Sequence, residues 1–353
     1  MTALKLGSLF DGIGVFPLAA VHCGIEPVWA SEIEARPISI TKRHFPDMLH
    51  LGDITKISGA EIPPVDVITF GSPCQDLSQI GTRNGFAGKK SSLFYQAMRI
   101  IEEMRYATNG RYPAFCIWEN VAGAFSSNDR LDFAAMLSAF TGAEVSVPPR
   151  GWAHAGMVRG GRADTAWRLL DAQYWGEPAL SQRRRRVFVV ADFAGERAAE
   201  VLFKPRTVLP FSTISGPGGL SATQRGGVPA AQTGRQVPIV RPFSLRRMRT
   251  MAQVGDQKGF CASFGRGGEP FPTLLASVTA PFSFWYESEE RDGFLRVLTP
   301  LECERLMGLP ENWTKYGCKN EEISDHARYR ALGNSIALPC AEYVMAGIAE
   351  VMN

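Results

Sequence analysis

At 353 residues the chain is longer than one hydrophobic core usually fills, so one large domain with a smaller companion is expected. Hydrophobic residues at 45% and charged residues at 21% exclude a disordered chain, and no apolar run reaches the roughly 20 residues that span a bilayer. The net charge of +3 says little about partners, but "SQRRRRVF" and "FSLRRMRTM" concentrate arginines, as either a polyanion-binding surface or a solvated charged face would. The opening "MTALKLGSLF" starts a strand and lacks the long apolar core of a signal peptide, which points to the cytosol. The seven cysteines, Cys23, Cys74, Cys116, Cys261, Cys303, Cys318 and Cys340, are odd in number and scattered. They contain no C-x-x-C pair, so free thiols are expected and a zinc site is not.

In chain order, "LKLGSLF" reads as a strand that ends in "DGIG", and "FPLAAVHCG" as a helix closed by Gly24. "PVWASE" is a strand, "ARPISITKRHF" a helix, and "LGDIT" closes a further short strand. "VDVITFG" is a strand, and "SLFYQAMRIIEEM" an amphipathic helix with Leu93, Met98, Ile101 and Met104 near helical spacing. "AFCIWENV" is a strand, "LDFAAMLSAF" a helix and "RRVFVVADF" a strand. This alternation predicts an α/β fold on a mostly parallel, twisted sheet. Near residue 205 the composition turns to Gly, Ser, Pro and Gln, as in either a flexible linker or a loop-rich second domain. "PTLLASV" and "FSFWYE" are strand-like. Helical signals return in "TPLECERLMG", with Thr299 and Glu302 spaced as a capping box and Pro300 at the first helical position, and in "IALPCAEYVMAGIAEVMN".

Three features carry chemistry. Gly12 and Gly14 form either a plain tight turn or a loop that lets a ligand approach the backbone. A third glycine of the dinucleotide fingerprint is missing, because Pro17 stands there. Glu32 ends the second strand, where a carboxylate can accept from ribose hydroxyls, and Asp53 ends the next, where it can accept from an adenine amino group. Together they outline a nucleoside pocket without phosphates at the carboxyl edge of the sheet. Next, "FGSPCQDLS" leaves a buried strand and presents Cys74 on that same edge, as an accessible nucleophile requires. Glu119 and Asn120 end another strand there. A Glu119 carboxyl against an apolar wall of Trp118 and Phe115 is expected to hold its proton and donate it. Finally, alternation in "QRRRRVFVV" sends Arg184 and Arg186 to one face and Arg183 and Arg185 to the other.

In this order the motifs resemble the cytosine-5 DNA methyltransferase family over nearly the whole chain. "FDGIG" (10–14) is similar to its cofactor loop, "PCQ" (73–75) to its nucleophile motif and "ENV" (119–121) to its catalytic glutamate motif. Gln182, Arg184 and Arg186 fit its Q-x-R-x-R pattern. "RVLTPLECERLMGLP" (296–310) resembles the structural motif after the recognition region, and "GNSIALP" (333–339) the last, cofactor-side motif. The resemblance implies a DNA (cytosine-5-)-methyltransferase of bacterial or phage type. It implies S-adenosylmethionine as cofactor, S-adenosylhomocysteine as product and a cytosine flipped out of double-stranded DNA as target. Cys74 would attack carbon 6, Glu119 would protonate or hydrogen-bond ring nitrogen 3, and Arg186 would hold the carbonyl oxygen at ring position 2. Arg184 and Asn120 would position these groups. Phe10, Gly12, Ile13, Gly14, Glu32, Asp53, Ile54, Pro73, Leu93, Asn334, Ser335 and Ile336 would hold the cofactor.

The resemblance further implies a Rossmann-like S-adenosylmethionine-dependent methyltransferase sheet with a second, smaller, loop-rich target recognition domain. The catalytic domain is expected at 1–200 plus 325–353 and the recognition domain at 201–324, its variable part at about 205–292. The polar run 75–91 is expected to close on DNA as a lid, with Gln79 or Ile80 filling the space of the flipped base. A cytoplasmic monomer, with a cognate restriction endonuclease as a possible partner, completes the expectation. Extra residues in "WGEPALSQRRRRVF" and the segment 147–169 depart from the family pattern. An RNA cytosine-5 methyltransferase, a nucleotide-dependent oxidoreductase on the same sheet and a catalytically inert DNA-binding module are the rival readings.

Overall fold

In the computed structural model, which describes residues 3–72, 93–204, 239–243, 271, 273–274, 283–288 and 291–353, strand and helix alternate from the first element onward. The chain divides into two compact units. The first comprises Met1–Leu170, Arg185–Pro205 and Cys340–Asn353. Its elements begin with β1 (Lys5–Leu9), α1 (Val15–His22), β2 (Glu26–Ser31), α2 (Ala35–His44), β3 (Leu49–His50) and β4 (Val67–Phe70). They continue with α3 (Leu93–Ala107), β5 (Phe115–Val121), α4 (Leu131–Thr141), β6 (Ala155–Arg159), β7 (Asp164–Asp171), β8 (Arg185–Asp192) and α5 (Ala198–Leu202).

The eight strands form one sheet in the order β3-β2-β1-β4-β5-β8-β7-β6. From β3 to β5 all pairings are parallel. β8 then runs antiparallel to β5, and β6 and β7 form an antiparallel hairpin. The sheet is therefore mixed, and the expectation of a mostly parallel sheet holds for one half of it. The hairpin takes up most of the segment 147–169, to which the sequence lent no element, and β7 runs two residues beyond it. β6 alternates exposed and half-buried residues along its length, the pattern of a sheet edge, and so offers no apolar run to read.

β4 is buried at every position, as a central parallel strand between two helical layers must be. On one face of the sheet Phe70, Phe94, Trp118, Phe133 and Phe140 pack together, with Phe94 5.9 Å from Phe70 and 6.3 Å from Trp118 between ring centres. α3 feeds this cluster from one stripe, Phe94, Ala97, Met98, Ile101 and Met104, at the three- and four-residue spacing of a helix. Each such large side chain contributes about 1.5–3 kcal/mol on burial.

The second unit comprises Asp171–Arg184 and Arg206–Pro339. It contains an antiparallel sheet of β9 (Ile239–Phe243), β10 (Ser283–Ser288) and β11 (Arg291–Val297) with β10 in the middle. Two helices follow, α6 (Pro300–Leu306) and α7 (Asp325–Asn334). The capping box at the start of α6 is complete: the Glu302 N–H donates to the Thr299 hydroxyl, and the Glu302 carboxylate accepts from the Thr299 N–H at 2.8 Å. Glu304, wholly buried, accepts from the Asn312 and Thr314 N–H groups, from the Thr314 hydroxyl and from Arg328. The terminal helix α8 (Leu338–Met352) gives its length from Cys340 onward to the first unit. There Tyr343 donates to the Leu202 carbonyl at 2.7 Å and Lys204 to the Ala346 carbonyl at 3.1 Å. Against the bounds expected from sequence, residues 171–184 and 325–339 group with the second unit and 201–205 with the first. Among the described residues no single helix is long and apolar enough to cross a membrane.

Gly7 shows how tightly the sheet is packed. A Cβ there would lie 2.1 Å from the indole of Trp29, which is fully buried and donates to the Pro63 carbonyl at 2.9 Å, so the ring cannot swing away freely. Gly7→Ala is expected to destabilise the protein by about 1–3 kcal/mol. Thermal unfolding monitored by circular dichroism checks this, and an unchanged midpoint would show that Trp29 can yield.

Candidate active site

Leu9, Phe70 and Trp118 stand level across β1, β4 and β5. After Leu9 and Phe70 the chain leaves the sheet along one edge, and β5 runs on past Trp118 for three residues on that edge, paired with β8. At the first exit Phe10, Gly12 and Gly14 all take positive φ, at 54°, 60° and 78°. For Gly12 the space where a Cβ would stand is open, with no atom within 4 Å. This is the cradle a closely approaching ligand needs. Glu32, just past β2, braces the loop: one carboxylate oxygen accepts from the Gly12 N–H at 2.9 Å, the other from the Ile33 and Glu34 N–H groups. The Thr41 hydroxyl donates to the Gly12 carbonyl. Ile13 and Ile54 are buried beneath. Asp53 caps the turn 54–56, accepting from the N–H and hydroxyl of Thr55, and these hydrogen bonds hold its carboxyl below the usual range.

Asp11 was not among the residues singled out from sequence, although it stands inside "FDGIG". Both of its carboxyl oxygens are enclosed by protein. Burial pushes its pKa up to about 7; the Ser8 hydroxyl opposes the rise, Glu32 adds to it and Thr41 opposes it more weakly. The loop thus offers an open glycine whose N–H is already taken by Glu32, over an enclosed Asp11 carboxyl. This donor set suits a cationic, phosphate-free nucleoside such as S-adenosylmethionine and disfavours a pyrophosphate.

The second exit bears the strand end that leads to the nucleophile motif. Ser72 is held twice: its carbonyl accepts from the Asn120 amide at 3.0 Å, and its hydroxyl accepts from the Trp118 indole at 3.1 Å. Pro73 and Cys74, the next residues, lie outside the described residues, as do Gln79 and Ile80. Leu93 opens α3, half-buried. Three of the other cysteines are poor nucleophiles. Burial pushes Cys23 to about 11 and raises Cys116 and Cys303 well above an ordinary thiol.

The third exit is where β5 ends beside the start of β8. Because β8 is antiparallel, Val121 pairs with Arg186 and Asn120 with Val187. The Arg186 guanidinium meets the Glu119 carboxylate at 3.0 Å, both side chains nearly buried. A Cβ on Gly71 would stand 3.1 Å from the other Glu119 oxygen, so the glycine leaves that carboxylate its room beside β4. This corrects the apolar wall expected around Glu119. Trp118 faces the opposite side of the sheet, in the aromatic cluster, since successive strand residues alternate, and Glu119's neighbour is a cation.

The alternation read in "QRRRR" is present: Gln182 and Arg184, of the second unit, are buried, while Arg183 and Arg185, the first residue of β8, are exposed. Arg184 is 1% exposed and donates to the carbonyls of Leu274, Gly333 and Ser335. Asn334 is exposed, Ser335 half-buried and Ile336 buried.

A mixed sheet with glycines and acids at one strand end, and an acid–arginine pair at another, fits the class of S-adenosylmethionine-dependent methyltransferases. A family model described as C-5 cytosine-specific DNA methylase matches residues 4–208 and 246–350, and the chain belongs to that family. Type II methyltransferase M1.ScrFI of Lactococcus lactis subsp. cremoris is 26% identical over 99% of this chain and 78% of its own length. Type II methyltransferase M.HhaI of Haemophilus parahaemolyticus is 23% identical over 100% of this chain and 96% of its own. A DNA N-6-adenine-methyltransferase of Escherichia phage P1 is 24% identical over 98% of this chain, which spans 61% of that relative. The solved structure of S. pombe Dnmt2 methyltransferase superimposes with a TM-score of 0.61 at 16% identity, covering 99% of each chain, and shows the fold. As a member of this family the chain is a methyltransferase that uses S-adenosylmethionine.

The raised Asp11 pKa sets a pH dependence. Between the ordinary carboxyl value of 3.8 and about 7 the folded state holds a proton that the unfolded state releases. Stability from this group is therefore full below the lower value and lost as pH rises through the upper one. Asp11→Asn is expected to flatten the fall in stability across this window and to make the cofactor-free protein more stable than wild type at pH 8. Thermal melts between pH 4 and 8 check it; parallel curves for the two proteins would contradict it.

Proposed function

We propose that the protein methylates carbon 5 of cytosine at a specific sequence in double-stranded DNA, through a transient bond between Cys74 and carbon 6. The observation that carries this reading is the Glu119–Arg186 pair, set on the strand edge from which the Cys74 segment emerges and backed by Asn120 on Ser72. Carbon 5 of an intact cytosine is a poor nucleophile, so the ring must first be activated, and covalent addition divides one hard step into two easier ones. The Cys74 thiolate adds to carbon 6 while Glu119, in its protonated form, passes its proton to ring nitrogen 3 and takes it back when the thiolate leaves, and Arg186 holds the oxygen at position 2. Electron density collects at carbon 5. S-adenosylmethionine, when bound by Gly12, Glu32, Asp53 and their neighbours, supplies an electrophilic methyl group at that carbon. Loss of the carbon-5 proton then expels the Cys74 thiolate and restores the aromatic ring, so that one methyl enters and one proton leaves. To reach these groups the base must leave the duplex. The catalytic part is assigned to residues 1–200 with 325–353 and recognition to 201–324.

The name of the phage P1 relative raises a second reading, transfer to the exocyclic nitrogen of adenine. That nitrogen carries its own lone pair and has no need of a cysteine adduct. Bisulfite sequencing of plasmid from cells expressing the chain, with mass spectrometry of its nucleosides, separates the two. 5-Methylcytosine at one sequence is expected; N6-methyladenine alone would overturn the proposal. Methyl incorporation into transfer RNA but not DNA would move the substrate to RNA.

Cys74→Ala is expected to abolish methyl transfer while leaving S-adenosylhomocysteine binding, read by calorimetry, close to wild type. Glu119→Gln is expected to slow the single-turnover rate by about 100-fold or more with a smaller loss of DNA affinity. Loss of DNA binding with an unchanged rate would instead mark Glu119 as structural.

A further inference from the structure

We propose that Arg184 is a positioning residue that ties the cofactor-side loop 333–336 to the recognition segment 271–274, so that S-adenosylmethionine and DNA strengthen each other's binding. The inference rests on the functional reading above, which assigns those two segments to cofactor and DNA. A guanidinium withdrawn from water is tolerated only when its N–H groups find acceptors. The acceptors of Arg184 come from two parts of the chain far apart in sequence. One terminal nitrogen donates to the Leu274 carbonyl at 2.8 Å; the other donates to the carbonyls of Gly333, at 2.9 Å, and Ser335. Moving either segment strips this buried cation of a partner, so the position of one is felt by the other.

The main chain around Arg184 repeats the tie. Arg183 N–H donates to the Phe271 carbonyl at 2.6 Å, Phe271 N–H to the Ser181 carbonyl at 2.7 Å, and the Thr273 hydroxyl to the Arg183 carbonyl at 2.6 Å. The Arg184 N–H is itself fixed by Asp171, and its carbonyl by the Ala172 N–H. Phe271, Thr273 and Leu274 therefore cannot shift without dragging 181–184, and Arg184 passes that displacement to the backbone that flanks Asn334. All the acceptors on the two far segments are main-chain carbonyls, so the planar fork of arginine matters more than its charge; lysine carries its three N–H donors on one nitrogen and cannot span acceptors that arginine meets with two.

The test is a binding cycle. S-adenosylhomocysteine affinity is measured by calorimetry with and without a duplex bearing the methylated site identified by bisulfite sequencing. For wild type the ratio of the two affinities is expected to be about 5-fold or more, with the same ratio for DNA by linkage. For Arg184→Lys it is expected to fall to within about 2-fold of unity, the low end of measurable coupling. A merely structural arginine would weaken each ligand alone and leave the ratio intact. Thr273→Val, a change at a half-buried position that removes one stitch, is expected to lower the ratio partway, and it carries the test if Arg184→Lys does not fold. A wild-type ratio of unity, or a full ratio in the variant that folds, overturns the inference and leaves the functional reading standing. Failure of wild type to bind S-adenosylhomocysteine overturns both.

Discussion

The antiparallel placement of β8 beside β5 is the constraint on which the site depends. In a parallel sheet every strand delivers its carboxyl end to the same edge, and β1, β4 and β5 do so with Phe10, Gly71 and Glu119. An antiparallel neighbour instead brings its first residues to that edge. The register Val121 to Arg186 then sets a guanidinium from the start of β8 beside a carboxylate from the end of β5. A parallel strand in the same place would bury those arginines at the far side of the sheet.

The two halves of the edge differ in what they ask of the backbone. On the β1 side the loop is strained open: Phe10 takes a left-handed conformation that costs a non-glycine residue free energy. Glu32 braces the loop through the Gly12 N–H and leaves the space over Gly12 open. On the β4 and β5 side the described residues are held from several directions. Ser72 is fixed by two side chains from β5, and Gly71 keeps room for the Glu119 carboxylate. The first arrangement suits a ligand that enters and leaves at every turnover. The second suits groups that must hold fixed positions while bonds form and break.

Much of this was legible in the sequence because its signals are local. Gly24 closing α1, the capping box of Thr299 and Glu302, the glycines after β1 and the acids after β2 and β3 each declare themselves within a few residues. What was illegible rests on partners far away or on weak patterns. Ser72 looks like a spacer in "GSPC" until Trp118 and Asn120, 46 and 48 residues on, are seen to hold it. Arg184 reaches carbonyls 90 and 149 residues distant, and a carbonyl leaves no mark in the residue type. β6 is an exposed edge strand and α7, "DHARYRALGN", has few apolar residues, so neither shows a clear period. The face of Trp118 was readable from strand alternation, and it is the aromatic cluster that claims it.

The central claim is that the thiolate of Cys74 bonds to the target base on this edge, with Glu119 and Arg186 gripping the ring. The most direct measurement is trapping on duplex DNA carrying 5-fluorocytosine at the target, where the fluorine cannot leave as the ring proton does and the adduct persists. With S-adenosylmethionine present, the account predicts a denaturation-resistant protein–DNA complex whose crosslinked peptide contains Cys74. Absence of any adduct on a duplex that the protein methylates when it carries ordinary cytosine, or an adduct on another cysteine, would contradict it.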